Sequence, residues 1–340
     1  MADTTDVYRQ LIELALPLWP DTDGAAISLI NVSENMTYRV DAVSGARYVV
    51  RLHRQNNNIA AIESELAWVS ALQTDGVLQT PCVINGINKR VIQCIKRTAN
   101  KILFDQLDVN LVKQRLDEVY LVMFAFIEGR EPDDTDDVLL HFELLGEMAA
   151  RAHNHSAQWV PPLGFARGSW NTDTLLNSTA VWGQWQRAPG LNDTMLPTLN
   201  KVCDTVTQRL CRLGQDKAVY GLIHADMRRA NLLVNKNDIR LIDFDDCGFG
   251  WYLYDFASAV SFIENHPRLL EFKMAWLLGY RRWRQPTRLE VQEIDTLIML
   301  RRLALMAWMG GHPEVPIVQQ LQDSFAKDSC QLAEGYLATH

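Results

Sequence analysis

Two short, mainly apolar runs, Leu232 to Val234 and Ile239 to Ile242, are interrupted by Asn235, Lys236, Asn237 and Asp238. Asn and Asp tolerate the backbone angles of a tight reversal, so this stretch is predicted to fold as a strand hairpin. A hairpin pins together whatever stands at its two ends. Here the entrance is Asn231 and the exit is Asp243, which places an amide and a carboxylate within reach of one ion.

The segment entering the hairpin reads IHADMRRANLLV, and LIDFD leaves it. His224, Asp226 and Asn231 make an HxDxxxxN loop, with Asp243 downstream. Phosphoryl transfer to a hydroxyl needs a carboxylate to take the proton of the attacking group, and an amide plus a second carboxylate to hold magnesium on the phosphates. Asp226, Asn231 and Asp243 supply those groups in that chain order. Mg²⁺ prefers oxygen, keeps waters and shares phosphate oxygens, so Asn231 and Asp243 suffice as its protein ligands. Arg228 stands two residues after Asp226, where a guanidinium can meet the charge developing on the transferred group. Taken singly, a His, Asp or Asn is more often a cap or turn residue. The spacing, the flanking apolar runs and the downstream Asp-Phe-Asp carry the reading jointly.

At 340 residues, 48% apolar and 22% charged, the chain can build one large domain or two lobes with separate cores. Its formal charge of -8, with no basic stripe dominating the sequence, argues against a nucleic-acid partner. No apolar run reaches spanning length, and Asp3 and Asp6 precede a short apolar run ending at Pro17, unlike a signal peptide. Six cysteines lack CxxC spacing, which favours reduced thiols and a cytoplasmic protein without membrane partners. His153 and His155 have no third metal ligand beside them in sequence, so core or surface use is expected of them.

Helical spacing over Asp6 to Leu16 puts Val7, Leu11, Leu14 and Ala15 on one side. Strand-like runs follow at Ala26 to Asn31, Met36 to Val43 and Arg47 to His53, then a helix over Ile59 to Leu72 and strands at Pro81 to Ile84, Val91 to Ile95 and Val119 to Ile127. Between Lys96 and Asp117, Ile102, Leu103, Leu107, Leu111 and Leu116 recur at near-helical spacing and predict an added helix, with extra packing its expected role. The run GREPDDTDD leads into a helix over about Asp136 to His155 that Asp134 or Thr135 can cap. Helices are predicted near Leu269 to Trp283, Arg288 to Trp308 and Ile317 to Leu337.

The wording HADMRRANLLV, LIDFDDCGFG and LYDFASAV resembles the aminoglycoside phosphotransferase and choline kinase superfamily, and within it the branch of type II homoserine kinases and related small-molecule kinases. The resemblance implies an α+β, bilobal protein-kinase-like fold. Residues 1–128 would form a nucleotide-binding N-lobe with an antiparallel sheet and helix, and 129–340 a larger, mainly helical C-lobe with the catalytic loop and acceptor pocket. It implies Asp226 as the base, Asn231 and Asp243 as magnesium ligands converging in a cleft between the lobes, His224 as a brace, and Asp255 as a support of the site. Arg51 stands where protein kinases carry a phosphate-binding lysine, and Arg grips phosphate with parallel donors. Glu65 is the expected ion-pair partner; Glu63, on another helix face, is the competing choice. The turn NVSENMT has no glycine, yet the backbone amides of Glu34, Asn35 and Met36 can cradle phosphate. Phe124 to Ile127 resembles the hinge, with the backbone of Ala125 and Ile127 toward a purine edge. The Lys96 to Asp117 insertion departs from the family's short hairpin there.

The implied reaction moves the γ-phosphate of ATP, or GTP, to a hydroxyl of a small metabolite. Arg167, Trp170, Asn171, Trp182, Trp185, Arg187 and Trp251 are acceptor-pocket candidates; aromatic faces hold ammonium groups and Arg holds carboxylates, which suits a hydroxylated amino acid or amino alcohol. Asp245, Asp246 and Glu264 keep a polycationic aminoglycoside open as acceptor. A protein kinase is disfavoured by the lack of a segment resembling DFG to APE, and a silent nucleotide-binding module by the complete catalytic set.

Overall fold

The strand at Asn35–Asp41 alternates buried Met36, Tyr38 and Val40 with half-exposed Thr37, Arg39 and Asp41. That period of two commits one face to a core. In the computed structural model, which describes residues 4–32, 35–53, 58–110, 117–133, 135–235, 238–313 and 315–340, the strand is β2 of a five-stranded antiparallel sheet. Its members are β1 (Ala26–Val32), β2, β3 (Arg47–His53), β4 (Ile92–Lys96) and β5 (Glu118–Ala125), ordered β1-β2-β3-β5-β4. Helices α1 (Thr4–Ala15), α2 (Ile59–Thr74) and α3 (Lys101–Asn110) are interleaved with them. Val7, Tyr8, Leu11 and Ile12 of α1 and Phe104 of α3 share a core with Met36, Tyr38, Val50, Leu52 and Leu121. Ile62 and Leu66 of α2 pack instead with Ile92, Val122 and Phe124. The insertion therefore does contain a helix, and it adds packing over α1. Leu111 and Leu116 of that stretch lie outside the described residues.

The remaining elements are α4 (Val138–Gln158), β6 (Ser169–Trp170), α5 (Thr172–Leu176), α6 (Leu196–Leu213), β7 (Tyr220–Ile223), β8 (Leu232–Asn235), β9 (Asp238–Leu241), β10 (Gly248–Trp251), α7 (Tyr254–Ala259), α8 (Leu269–Tyr280), α9 (Arg288–Gln292), α10 (Ile294–Gly311), α11 (Pro316–Leu321) and α12 (Phe325–Thr339). Two compact units result: Met1–Ala71 with Thr80–Glu128 and Pro162–Ala166, and Leu72–Gln79 with Gly129–Pro161 and Arg167–His340. The first holds the large sheet and the second is mainly helical, which is the α+β, kinase-like class expected.

Several local expectations are corrected. Leu14 is 50% exposed, so the buried stripe of α1 is Val7, Tyr8, Leu11, Ile12 and Ala15. Pro81 to Ile84 is an isolated bridge and not a strand: Val83 faces Phe124, with Ile84 N donating to Met123 O and Ala125 N to Cys82 O, each at 2.8 Å. Asp137 caps α4, accepting from Leu139 N and Leu140 N at 3.0 and 3.2 Å, in place of Thr135; Asp134 lies outside the described residues. The predicted helix over Arg288 to Trp308 breaks at Glu293, whose carboxylate is pinned by Arg209 and by Thr296. The last helix divides as well, with Pro316 opening α11.

Helices α4 and α8 pack closely through glycine. A Cβ on Gly279 would meet the Glu143 carbonyl oxygen, and one on Gly146 would meet that of Trp276. Phe142 and Phe272 stack beside this contact at 4.5 Å. Gly279→Ala should therefore cost about 1–3 kcal/mol through overpacking, read as a lower midpoint in urea unfolding. An unchanged midpoint would show that the helices part freely.

Candidate active site

The hairpin is formed by β8 and β9, paired Leu232 to Leu241 through Asn235 to Asp238; its tip residues Lys236 and Asn237 lie outside the described residues. Ile242 N donates to Asn231 O at 2.9 Å, so the backbone entering the hairpin is clamped to that leaving it. Asp243 is the next residue, exposed, with φ at 64°. A non-glycine residue in that region costs on the order of 1 kcal/mol or more and persists where the surroundings impose it. Ala225, in the loop opposite, carries the same strain at φ 67°.

Asp226 is buried and fully engaged. Its Oδ1 accepts from Arg228 Nε at 3.0 Å and Arg301 Nη2 at 2.9 Å, and its Oδ2 from Arg228 Nε at 3.1 Å and Asn231 Nδ2 at 2.9 Å. Asn231 Nδ2 also donates to the Asp226 carbonyl at 2.7 Å, which fixes the amide with its nitrogen on Asp226. The amide oxygen is then the atom left to face an ion. Burial pushes the Asp226 pKa up, but Arg228 and Arg301 outweigh it and hold the carboxyl below its usual value. Arg228 is in turn raised, chiefly by Asp226, and it also feels the charge of Asp243.

The loop is held from behind by Asp255. Its Oδ1 accepts from Ala225 N at 2.7 Å, and its Oδ2 from His224 N at 3.1 Å and His153 Nε2 at 2.9 Å. His153 is thus a core residue of the site's support, and burial lowers its pKa. His224 Nε2 donates to Ile242 O at 3.1 Å, while its Nδ1 accepts from Asp226 N at 3.3 Å. Both nitrogens are engaged, and burial lowers the ring's pKa, so His224 is a brace joining loop and hairpin.

A family model described as "Phosphotransferase enzyme family" matches residues 27–293. The chain belongs to that phosphotransferase family. The structure of a microcompartment-associated aminopropanol kinase is similar over 97% of this chain and 98% of that one, with 37% identity and a TM-score of 0.86. The amicoumacin kinase hAmiN, in complex with AMP-PNP, Ca²⁺ and Ami, shares the fold at 19% identity over 95% of this chain and 93% of that one, TM-score 0.72. So does choline kinase from Cryptosporidium parvum Iowa II at 12% identity over 98% and 97%, TM-score 0.62. Amicoumacin kinase of Bacillus subtilis (strain 168) is 35% identical over 64 residues, which span 19% of this chain and 19% of that protein.

In this phosphotransferase several acceptor candidates are committed elsewhere. Arg167 donates to the carbonyls of Asp245 and Cys247, and Trp170 Nε1 to that of Asp246 at 2.7 Å, so both hold the segment after Asp243 by its backbone. Trp185 and Trp251 are core residues, Trp251 donating to Gly214 O at 2.6 Å. Asn171 caps α5, and Arg187 is exposed. Glu264 is buried against Arg302 at 2.6 Å, which removes it from the acidic group available to an acceptor. Trp182 remains half-buried, with Arg301 over its ring at 5.2 Å. Arg301 has no part in the motifs above; its signal is the Arg301–Arg302 pair inside the otherwise apolar run Leu297 to Met309 of α10.

Within the sheet unit, Arg51 Nη2 meets both oxygens of Glu65 at 2.6 Å, and both residues are buried. Glu63 is exposed, so Glu65 is the partner. Asn35 and Met36 lie inside β2, paired with His53 and Leu52, whereas Ser33 and Glu34 of the expected phosphate turn lie outside the described residues. Ala125 N donates to Cys82 O at 2.8 Å, so its amide is committed and a purine edge would have to meet the Ala125 carbonyl or the Ile127 backbone. No cluster of three or more His, Cys, Asp or Glu residues suited to a metal is found among the described residues, and none of their helices is long and apolar enough to cross a membrane.

Proposed function

We propose that this phosphotransferase moves the γ-phosphate of ATP to the hydroxyl of a small amino alcohol. One observation carries the reading: a buried carboxylate, Asp226, bonded to Asn231, with the strained Asp243 one residue beyond the backbone clamp on Asn231, a set of groups that suits phosphoryl transfer. The likeness to an aminopropanol kinase over nearly the whole chain supports the acceptor class. The donor set fits a hard divalent ion: an amide oxygen turned away from Asp226 and an exposed carboxylate one residue beyond the backbone clamp. Asn231 and Asp243 would hold Mg²⁺ there, and when bound it neutralises phosphate charge and orients the transferring group.

Asp226 aligns the acceptor O–H. As the new O–P bond forms, the bond from the γ-phosphorus to the β–γ bridging oxygen breaks and ADP leaves with that electron pair. The hydroxyl proton passes to Asp226. A carboxylate held below its usual pKa is a weak base, so its first task is alignment, with proton transfer late, as a loose transition state allows. Arg51, locked by Glu65, would bind nucleotide phosphates; Asn35 and the Ala125 to Ile127 backbone would complete the nucleotide site.

A carboxylate near Asp226 would strengthen the hold on an ammonium-bearing acceptor. Asp246 is half-buried, and its charge reaches both Arg301 and Tyr254. Asp246→Asn should raise the KM for an amino alcohol about 10-fold with kcat within a few-fold, in line with loss of one charge-assisted contact. An unchanged KM places the ammonium elsewhere. The test of the function itself is a screen of amino alcohols, hydroxylated amino acids, sugars and aminoglycosides with ATP and Mg²⁺, products located by phosphorus NMR. Turnover confined to aminoglycosides or to protein substrates would overturn the reading.

A further inference from the structure

A carboxylate offers roughly four in-plane lone-pair directions, and those of Asp226 are taken by Arg228 on both oxygens, Asn231 on one and Arg301 on the other. An acceptor hydroxyl must displace one of these donors. Asn231 is tied as well to the Asp226 carbonyl. Arg301 is 3% exposed, its Nε donating to Ser261 Oγ at 3.0 Å and its guanidinium lying over Trp182. The Arg228 side chain is 35% exposed and rides on the loop itself, so it is the donor that can leave.

We propose that Arg301 is a positioning residue, a fixed strut from α10 that keeps the Asp226 carboxylate in one plane while Arg228 gives up its place to the acceptor hydroxyl. This rests on the reading that Asp226 receives that hydroxyl. The strut works because one planar fork spans two anchors, Ser261 on one nitrogen and Asp226 on another. A lysine carries the charge but has a single nitrogen, so it cannot hold both anchors in a fixed plane. Misplacement of a reacting group by about 1 Å is enough to cost on the order of 100-fold. Released from the phosphotransfer-silent position on Asp226, Arg228 becomes available to the transferring phosphoryl group.

The test compares Arg301→Lys, Arg301→Met and Ser261→Ala in steady-state assays with ATP and aminopropanol. Expected are kcat losses of roughly 10-fold, 100-fold and 3-fold, with the KM for ATP within about twofold in each. A residue that only stabilises the fold would lower the melting temperature and leave the kcat of folded enzyme in place. Arg301→Lys at wild-type kcat means charge alone suffices and overturns the proposal. If Arg301→Met does not fold, Arg301→Lys and Ser261→Ala decide: wild-type kcat in both overturns it, and a graded loss in both supports it. A wild-type enzyme inert toward every acceptor, or an Asp226→Asn enzyme of full activity, removes the underlying reading and the strut with it, whereas an active wild type with unaffected Arg301 variants removes the strut alone.

Discussion

Asp226→Asn is expected to lower kcat by roughly 10³-fold while ATP still binds. The magnitude is that of losing a positioned proton acceptor, about 10² to 10⁴ in rate. The amide keeps the size of the side chain but presents an NH₂ to a site lined by donors. Arg228 Nε and Arg301 Nη2 both approach the same carboxylate oxygen, at 3.0 and 2.9 Å, and Asn231 Nδ2 takes the other. One oxygen of Asn can satisfy only part of that set, and Arg301 loses its facing anion in a buried place. Breaking one partner of a buried pair costs about 3–5 kcal/mol, so a lower melting temperature should accompany the loss of turnover. Asp246 and the Trp182 ring still face Arg301 and limit that cost. Nucleotide titration followed by tryptophan fluorescence separates the two effects. If the variant turns over at the wild-type rate, Asp226 is not the acceptor's carboxylate.

Asp255→Asn should be the next most damaging substitution, and it acts without touching any reactant. Three donors converge on this fully buried carboxylate: the backbone N–H groups of His224 and Ala225, and His153 Nε2. His153 Nδ1 is engaged in turn by the Tyr280 hydroxyl at 3.0 Å, and because Nε2 faces a carboxylate it is the nitrogen that donates there. An asparagine turns one acceptor into a donor aimed at donors. Each buried group left unsatisfied costs about 1–3 kcal/mol, and total stability is only about 5–15 kcal/mol. The loop then loses the tether that keeps Ala225 at its strained φ of 67°, and Asp226 moves with it. A melting temperature lower by roughly 10 °C, together with a kcat loss beyond about 10-fold, is the expected outcome of calorimetry and assay. A variant that melts with the wild type would show that the tether contributes nothing.

Much of the site could be read along the chain because its parts are neighbours there. His224, Asp226, Asn231 and Asp243 fall within 20 positions, and a hairpin is a local structure dictated by turn chemistry and alternating apolar residues. Helical geometry puts Glu63 and Glu65 on different faces but does not say which face meets β3; the family resemblance favours Glu65, and the ion pair with Arg51 bears that out. Side chains with partners far away in sequence are harder to place from the residues alone. Arg167 and Trp170 have the chemistry of a ligand pocket, yet their donors are consumed by the carbonyls of Asp245, Asp246 and Cys247, about 76 to 80 positions on. Glu264 looked like part of an acidic acceptor surface until Arg302 was found against it.

Local order thus points to the reaction type: a carboxylate, an amide and a second carboxylate fall at hairpin spacing in the chain order that suits phosphoryl transfer. What the linear order left undecided was the state of those groups. Asp226 is held ionised and oriented by Arg301, 75 positions away, and its loop is held by Asp255 and His153 from two further helices. Charge and orientation depend on what is packed within a few ångströms in a poorly solvated interior, and burial and long-range contacts are set only when the helices close around the loop.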